Sequence, residues 1–221
     1  MLLDVEDLRK EYRRGGSGFF AVDGVNLAVD EGDFVVISGR SGSGKSTLLK
    51  LIAGLIRPSS GGVSFGGRSI ASSSDDEIAR LRNAEMGYIP QDRGLLSNFT
   101  VMENVILPFY LYRRKGNPCE RASRLLERAG IAHLAESYPD QLSGGEKRRA
   151  SIARSLINEP RLVVADEPTN DLDPSTAGDV IGMLSQISLS GAAVILVTHE
   201  RNAAARGGRR LTMESGHLSR C

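Results

Sequence analysis

One eight-residue segment constrains the fold of this chain more than any other feature: Gly39-Arg40-Ser41-Gly42-Ser43-Gly44-Lys45-Ser46. It matches the pattern G-x-x-x-x-G-K-[ST] at every fixed position. The preceding residues 34–38 are apolar and rich in β-formers, which predicts a buried strand, and residues 46–53 predict a helix that ends at Gly54. A glycine-rich loop between a strand and a helix turns its N–H groups inward, and the helix start adds positive charge. The segment therefore predicts an anion-binding loop in an α/β fold.

Each polar side chain of this loop has a predicted contact with a nucleoside triphosphate. Lys45 would supply a point charge to the β- and γ-phosphates, and the Ser46 hydroxyl would bind Mg²⁺. Thr47 would add a further phosphate contact, while residues 39–44 would wrap the phosphates with their backbone. The alternative is an ordinary Gly/Ser-rich turn before a helix.

Two other predicted strands end in residues that suit phosphate chemistry. The apolar residues 162–165 run into Asp166 and Glu167, and the predicted strand 192–198 is followed by His199. The carboxyl ends of parallel strands meet at the ligand-binding edge of a sheet. There Asp166 would hold Mg²⁺ through water, Glu167 would orient the attacking water, and His199 would bond to the γ-phosphate. A pair of solvated acids and a surface histidine are the alternatives.

Strand and helix patterns alternate along the chain, which indicates a mostly parallel α/β sheet. Further strands are predicted at 3–8, 19–29 and 86–89, and a final hairpin is predicted about Ser215. Residues 58–67 are predicted to form turns. Helical patterns fill residues 91–157, with breaks at 116–118, Gly130 and Pro139, and these predict a helical subdomain inserted between the central strands.

Composition excludes several classes of protein. The net charge is +1, so no global charge favours nucleic acid, and the basic clusters 113–115 and 147–149 are interpreted as solvated helix faces. No apolar run reaches the about 20 residues that cross a bilayer, and the N-terminus lacks the pattern of a signal peptide. The two cysteines, Cys119 and Cys221, are isolated, which fits a reducing compartment. We therefore expect a cytosolic chain unless a partner holds it at a membrane.

Residues Leu142-Ser143-Gly144-Gly145-Glu146 resemble the LSGGQ signature of the ABC ATPase superfamily, with Glu in place of the final Gln. They come shortly before the Asp166-Glu167 strand, as in that family, and they open a predicted helix. Ser followed three residues later by Glu is also an ordinary helix capping box. Both interpretations can hold, because a capped helix start with bare glycines is suited to bind a phosphate.

The resemblance covers essentially the whole chain and implies a P-loop NTPase fold with an ABC-type ATPase core. It implies a catalytic core at 1–90 and 158–221 that includes an N-terminal antiparallel β subdomain, and a helical subdomain at 91–157. In the family the signature residues complete the ATP site of a second subunit, so two ATP molecules lie between two copies arranged head to tail. Asp171 and Asp173 match the D-loop, which crosses this interface and joins Ser143, Gly144, Gly145 and Glu146 in trans.

Other positions take roles from the same resemblance. Tyr12 matches the aromatic residue that stacks on adenine, although a plain strand-edge aromatic is the alternative. Gln91 matches the Q-loop glutamine, which contacts Mg²⁺ and the lytic water and senses the membrane partner. His199 matches the switch histidine, so the implied catalytic set is Lys45, Gln91, Glu167 and His199. Two departures are Pro90, where Phe is commoner and the loop would be stiffer, and residues 147–149, which replace the usual Gln-rich start of the signature helix.

Residues 92–105 and 165–173 are similar to the lipoprotein-releasing and macrolide-export branch, which also includes a cell-division ATPase. The resemblance implies ATP hydrolysis coupled to an integral membrane permease, at the cytoplasmic face of the inner membrane. Leu95, Leu96 and Phe99 would line a groove for a cytoplasmic helix of the permease, or would pack inside the helical subdomain.

Two other functions stay open at this point. One is a regulatory ATPase that controls a cell-envelope enzyme through a permease-like partner, which the sequence does not separate from a transporter. The other is an ABC ATPase of translation or DNA repair. Such proteins usually carry two cassettes or a long coiled-coil insertion, and this chain has neither, so no nucleic-acid partner is expected.

Overall fold

The computed structural model describes residues 1–15, 17–92, 94–111, 115–199 and 208–220. Residues 113 and 114 of one predicted basic cluster, Arg93 of the branch-specific stretch and Cys221 lie outside these ranges.

Apart from two strands within residues 60–69, the strands and helices follow the order that the sequence predicts. The strands are β1 (Leu3–Arg14), β2 (Ser17–Val29), β3 (Phe34–Ser38), β4 (Ser60–Phe65), β5 (Arg68–Ser69), β6 (Met86–Ile89), β7 (Leu162–Asp166), β8 (Ala193–Val197), β9 (Arg209–Glu214) and β10 (His217–Arg220). The helices are α1 (Lys45–Ile52), α2 (Asp75–Glu85), α3 (Val101–Leu111), α4 (Pro118–Arg128), α5 (Gly144–Leu156) and α6 (Pro174–Leu189), with short 3-10 turns at Ala132–Leu134 and Pro139–Gln141. The predicted helix breaks fall at helix ends: Pro118 opens α4, Gly130 follows it, and Pro139 opens the second 3-10 turn.

The N-terminal strands form a four-stranded antiparallel sheet in the order β2-β1-β4-β5. Strand β1 is longer than the predicted 3–8, and it carries Tyr12 opposite Phe19 of β2. The prediction of turns at 58–67 was wrong for β4, whose Val63 and Phe65 are buried against β1. Gly61 adopts φ 76° where an added Cβ would lie 2.2 Å from the Asp7 carbonyl oxygen. A glycine in a turn-rich stretch is therefore needed here for a different reason: it lets β4 approach the backbone of β1 closely.

The second sheet has six strands in the order β10-β9-β3-β8-β7-β6, and all neighbours are parallel except β9 and β10. All residues of β7 and β8 are buried. One face of these strands packs with α1 and the small sheet, and the other packs with α6. Coverage of both faces explains why the strands read as continuous apolar runs rather than alternating ones.

A third apolar cluster joins α3, α4 and α5, and its members include Val105, Leu126 and Ala153. Helix α5 also contributes Ile152 to the cluster beneath the large sheet. The signature helix therefore packs on both the helical layer and the sheet, and the boundaries at 90/91 and 157/158 stay a prediction. Across the described part of the chain, no helix has the length and apolar content to cross a membrane.

The interpretation of residues 147–149 as a solvated face was wrong for Arg148. Its side chain is only 3% exposed. The guanidinium lies against the loop that follows β6, where two backbone carbonyl oxygens accept its N–H groups. These carbonyls lie outside regular secondary structure, and here a long basic side chain reaches them from a neighbouring helix.

Candidate active site

The phosphate loop joins the end of β3 to the start of α1, as the sequence predicts. Gly39, Gly42 and Gly44 have φ of 151°, 77° and 105°, in the region that favours glycine. A Cβ on Gly44 would lie 1.9 Å from the Ala21 carbonyl oxygen, so the loop passes against β2 with no room for a side chain. Gly44 is also the N-cap of α1 and places no side-chain oxygen over the first N–H groups of the helix. These N–H groups suit an anion.

Lys45 lies inside the loop that precedes it. Its Nζ donates to the carbonyl oxygens of Gly39 at 2.8 Å and Arg40 at 2.9 Å. Burial lowers the pKa of the Lys45 ammonium, while the charges of Glu167 and Asp166 act in the opposite direction. The ammonium is therefore held at the concave side of the loop by bonds that an incoming phosphate oxygen can replace.

Ser46 and Asp166 meet across the sheet edge although 120 positions separate them in the sequence. The Ser46 hydroxyl donates to Oδ1 of Asp166 at 3.0 Å. Burial raises the pKa of the Asp166 carboxyl and the Glu167 charge adds to this, while the Ser46 hydrogen bond opposes it. The predicted Mg²⁺ ligands from α1 and β7 are thus adjacent.

Glu167 lies between the two other predicted catalytic side chains. Its Oε2 accepts from Gln91 Nε2 at 3.3 Å, and its Oε1 lies 2.8 Å from His199 Nε2. Glu167 has φ 47°, an uncommon value for a residue with a Cβ, and its N–H donates to Val197 O at 2.9 Å. The strained backbone turns the carboxylate toward the phosphate loop. Gln91, which follows β6, and His199, which follows β8, hold the carboxylate there.

One cavity of about 310 Å³ unites most of the predicted ATP and catalytic residues. Its lining consists of Tyr12, Phe19, Ala21, Ser41, Gly42, Gly44, Lys45, Ser46, Thr47, Gln91, Glu167 and His199. The remaining predicted residues of this region are outside the described lining but are hydrogen-bonded to it or to each other: Gly39, Arg40, Ser43 and Asp166. A larger cavity of about 980 Å³ lies beside α2, but its described lining includes no phosphate-loop residue. Chemistry rather than volume therefore identifies the site.

Phe19 is a member of the site that the sequence analysis missed. Its ring centroid lies 6.0 Å from that of Tyr12, and Lys10 Nζ lies 5.5 Å from the Tyr12 centroid. Both rings are open to solvent, with 38% of Tyr12 and 50% of Phe19 exposed. An exposed aromatic pair in a cavity offers a stacking surface for a base. The signal was the Phe19-Phe20 pair in a strand where apolar residues otherwise alternate.

The signature residues are not part of this lining. Ser143 is the N-cap of α5, and its Oγ accepts from Glu146 N at 3.3 Å, while Glu146 Oε2 accepts from Ser143 N at 2.7 Å. Hydrogen bonds from the Ser143 hydroxyl and N–H lower the pKa of Glu146. A Cβ on Gly145 would lie 2.6 Å from Cγ2 of Thr176, so this glycine is also required for close packing on α6. The capping box is present, and no signature residue is in the described lining of the phosphate-loop cavity.

The D-loop residues also lie outside the described lining of the cavity. Asp173 caps α6 and accepts from the N–H groups of Ser175 and Thr176, each at 3.1 Å. Hydrogen bonds from Thr176 and Ser175 lower the pKa of Asp173. Asp171 has φ 60°, so the segment between β7 and α6 turns sharply at this position.

The donor set fits a hard divalent cation. Hydroxyl, carboxylate and amide oxygens from Ser46, Asp166 and Gln91 are ligands that Mg²⁺ accepts. Asp166 is 2% exposed, and the charge of Glu167 beside it already acts against its ionisation. A triphosphate would add further negative charge next to the Lys45 ammonium and these two carboxylates. A cation here would balance that charge, so the residues fit the group that the family resemblance implies.

The predicted groove residues divide between the two alternatives. Leu95 is half-buried and packs against the cluster of α3, α4 and α5, whereas Leu96 is 43% and Phe99 38% exposed. The fully buried Asn104 holds their loop: its Oδ1 accepts from Leu96 N, and its Nδ2 donates to three carbonyl oxygens of residues 96–100. A rigid loop therefore presents two apolar side chains to solvent.

Comparison with known proteins gives a consistent result. The model of the ABC transporter family matches residues 22–170. The lipoprotein-releasing system ATP-binding protein LolD of Alcanivorax borkumensis is 41% identical over 99% of this chain and 97% of its own length. The dimeric structure of the ATP-binding cassette MJ0796 in a post-hydrolysis state, bound to ADP and Pi, is 34% identical and superposes with a TM-score of 0.93 over 99% of this chain and 97% of that one. A nucleotide-free ATP-binding cassette from an ABC transporter gives 25% identity and a TM-score of 0.82, with 98% and 89% covered.

The family model matches well over half of the chain, and a relative of nearly the same length is 41% identical. The predicted ABC-type fold, with its antiparallel N-terminal sheet and mostly parallel central sheet, is confirmed by the superposition on solved cassettes. This chain therefore belongs to the ABC transporter family, as an ATP-binding protein of that family.

Proposed function

We propose that this chain hydrolyses ATP as a subunit of a lipoprotein-releasing type of transport complex, and that it works as a head-to-tail dimer driving a separate permease. The observation that carries the proposal is the placement of Glu167 between Gln91 and His199 at the phosphate loop. The relative named as a lipoprotein-releasing ATP-binding protein supports the type of complex.

The chemistry assigned to the residues is positioning plus charge balance around a loose phosphoryl transition state. The loop N–H groups and Lys45 bind the β- and γ-phosphates, and Tyr12 with Phe19 stacks the base. Glu167 orients the attacking water and polarises it, while His199 fixes one oxygen of the carboxylate and reaches the γ-phosphate. Mg²⁺, held by Ser46, Asp166 and Gln91, would neutralise charge on the bound triphosphate.

A second copy completes the site. Ser143 to Glu146, Asp171 and Asp173 are absent from the described lining of the phosphate-loop cavity. Solved structures of the similar cassette MJ0796 are described as dimeric, one of them with ADP and Pi bound. We assign the N-terminus of α5 to the γ-phosphate of the partner's nucleotide, where its N–H groups and the Ser143 hydroxyl add donors.

Mixing two inactive variants tests this arrangement. Lys45→Ala removes the phosphate-loop charge and Ser143→Arg blocks the donor helix, so each variant alone should hydrolyse no ATP. A mixed dimer, with one copy of each variant, holds one intact site out of two. Random pairing of equal amounts makes about half of the dimers mixed, so the mixture should recover roughly a quarter of the native rate. The measurement is phosphate release by purified proteins. Absence of recovery in the mixture, or native turnover by Ser143→Arg alone, would contradict the head-to-tail site.

The partner and location follow from the same proposal. We assign the chain to the cytoplasmic face of the inner membrane, held there by an integral membrane permease that Leu96 and Phe99 contact. Purification from detergent-solubilised membranes should recover an integral membrane protein with the native chain, and the double variant Leu96→Glu/Phe99→Glu should lose it. Leu189→Glu is the control, because Leu189 is 77% exposed and is the last residue of α6, a different element of the fold. Recovery of ribosomes or DNA instead would favour a role in translation or repair.

A further inference from the structure

The signature helix α5 is bonded to the loop that carries Gln91. Arg148, on the second turn of α5, donates from Nη1 to the carbonyl oxygen of Pro90 at 2.7 Å and from Nη2 to that of Gln91 at 2.9 Å. The side chain is 3% exposed, so these bonds are shielded from water. A guanidinium has a rigid, planar set of donors, and two of them on successive carbonyls fix two peptide planes at once.

The same helix holds this segment at two more points. Arg154 Nη1 donates to Gly94 O at 2.6 Å. A Cβ on Gly94 would lie 2.9 Å from Pro90 Cγ, and a Cβ on Gly87 of β6 would lie 2.7 Å from the Ser155 carbonyl oxygen. Strand β6 and the residues after it are therefore packed closely along α5, from Ser155 back to Arg148.

The bond that depends on this attachment is long. Gln91 Nε2 lies 3.3 Å from Glu167 Oε2, slightly longer than is usual for such bonds. A small shift of the Gln91 backbone would break it. Pro90 adds stiffness on the N-terminal side because its ring fixes φ. The backbone carbonyls of Pro90 and Gln91 both accept from Arg148. These bonds fix the backbone from which the Gln91 side-chain amide extends, and so they set the position of that amide.

We propose that Arg148 is a positioning residue, which sets the Gln91 amide against Glu167 and makes this placement depend on the orientation of the signature helix. The inference rests on the proposed function, in which Glu167 handles the attacking water. Arg148 lies five residues after Ser143, on the helix that would contact the partner's nucleotide. Docking of the partner at one end of α5 is therefore transmitted to the water-orienting residues of the same chain.

A double-mutant cycle between Arg148 and Gln91 tests the inference. Arg148→Met keeps the apolar stem and removes the donors, and kcat for ATP should fall by about 10- to 100-fold, as for a misplaced catalytic group. ATP affinity at the phosphate loop should change less than about 2-fold, since no loop residue loses a bond. In a Gln91→Ala background the Arg148→Met change should have no further effect on kcat, because its target is gone.

Arg82→Met is the matched control. Arg82 also donates to backbone carbonyls, those of Ala53 and Gly54, at a place away from Gln91. The Arg82→Met variant should have a lower melting temperature than the native chain, while the kcat of the folded enzyme should be unchanged. Arg148→Lys, which can reach one of the two carbonyls, should keep more of kcat than Arg148→Met and serves in the cycle if the Met variant does not fold.

Independent effects of Arg148 and Gln91 on kcat, or native kcat in Arg148→Met, would overturn the inference. Limited proteolysis separates this failure from failure of the proposed function. A non-specific protease should cut the segment that follows β6 faster in Arg148→Met than in the native chain, whether or not ATP is hydrolysed. A native chain without ATPase activity would remove the proposed function, and an unchanged rate of cleavage would remove the inference.

Discussion

Replacing Glu167 by Gln should leave ATP binding intact while turnover falls by about 100- to 10,000-fold, the size expected for loss of a positioned general base. The amide keeps the shape of the carboxylate, so its contacts with Gln91 and His199 can largely be kept. It cannot accept a proton from water. ATP should therefore accumulate in the site and hold two subunits together, and Glu167→Gln should elute as a dimer in the presence of ATP.

Phosphate release and size-exclusion chromatography with and without ATP are the two measurements. Glu127→Gln is the control, because Glu127 is an exposed residue of α4 and the same chemical change there should alter neither result. Turnover close to native in Glu167→Gln would remove Glu167 from the proposed role. Loss of ATP binding in this variant would show that Glu167 acts on the nucleotide itself rather than on water.

Replacing Gly44 by Ala should destabilise the chain and abolish tight ATP binding together. The residue has φ 105°, and its Cβ would meet the Ala21 carbonyl oxygen at 1.9 Å and Met213 Cε at 2.9 Å. Strain in the left-handed region costs about 1–2 kcal/mol and overpacking about 1–3 kcal/mol more. The loop must move away from β2, and losing two charge-assisted bonds to phosphate would cost about 3 kcal/mol, or about 100-fold in Kd.

Gly67→Ala separates strain from steric contact. Gly67 has φ 77°, and no described atom lies within 4 Å of its Cβ position, in a turn remote from the phosphate loop. Gly67→Ala should lower the free energy of unfolding by the backbone strain alone, about 1–2 kcal/mol, and should leave the ATP affinity unchanged. Urea unfolding gives the stability of both variants, and calorimetry gives the Kd for ATP. Equal stability losses in the two variants would show that the contact with Ala21 carries no cost.

The predictions that held are those with local causes. The strand before the phosphate loop, the helix after it and the two acids at the end of β7 depend on residues close together in the chain. Parallel strands bring their carboxyl ends to one edge, so Lys45, Asp166 and His199 could be expected in one place without coordinates. The mostly parallel sheet followed from the same strand and helix alternation.

The missed features have non-local causes. Strand β4 forms because Gly62 and Val63 pair with β1, more than 50 positions earlier, and no local pattern records this pairing. Phe19 joins the site because the register of β1 and β2 sets it opposite Tyr12. Arg148 looked like part of an exposed basic cluster, and only the packing of α5 on the loop after β6 gave it two carbonyl partners.

By itself, the sequence predicted the chemistry: which residues are suited to bind phosphate, hold a cation and move a proton, and which strands and helices carry them. These depend on residue type and short-range backbone preference. Only the tertiary structure decided which side chains meet, such as Ser46 with Asp166 and Gln91 with Glu167, and that the residues of the signature are absent from the described lining of the phosphate-loop cavity. Contacts between distant segments depend on strand register and on packing. Neither can be read from a single stretch of sequence.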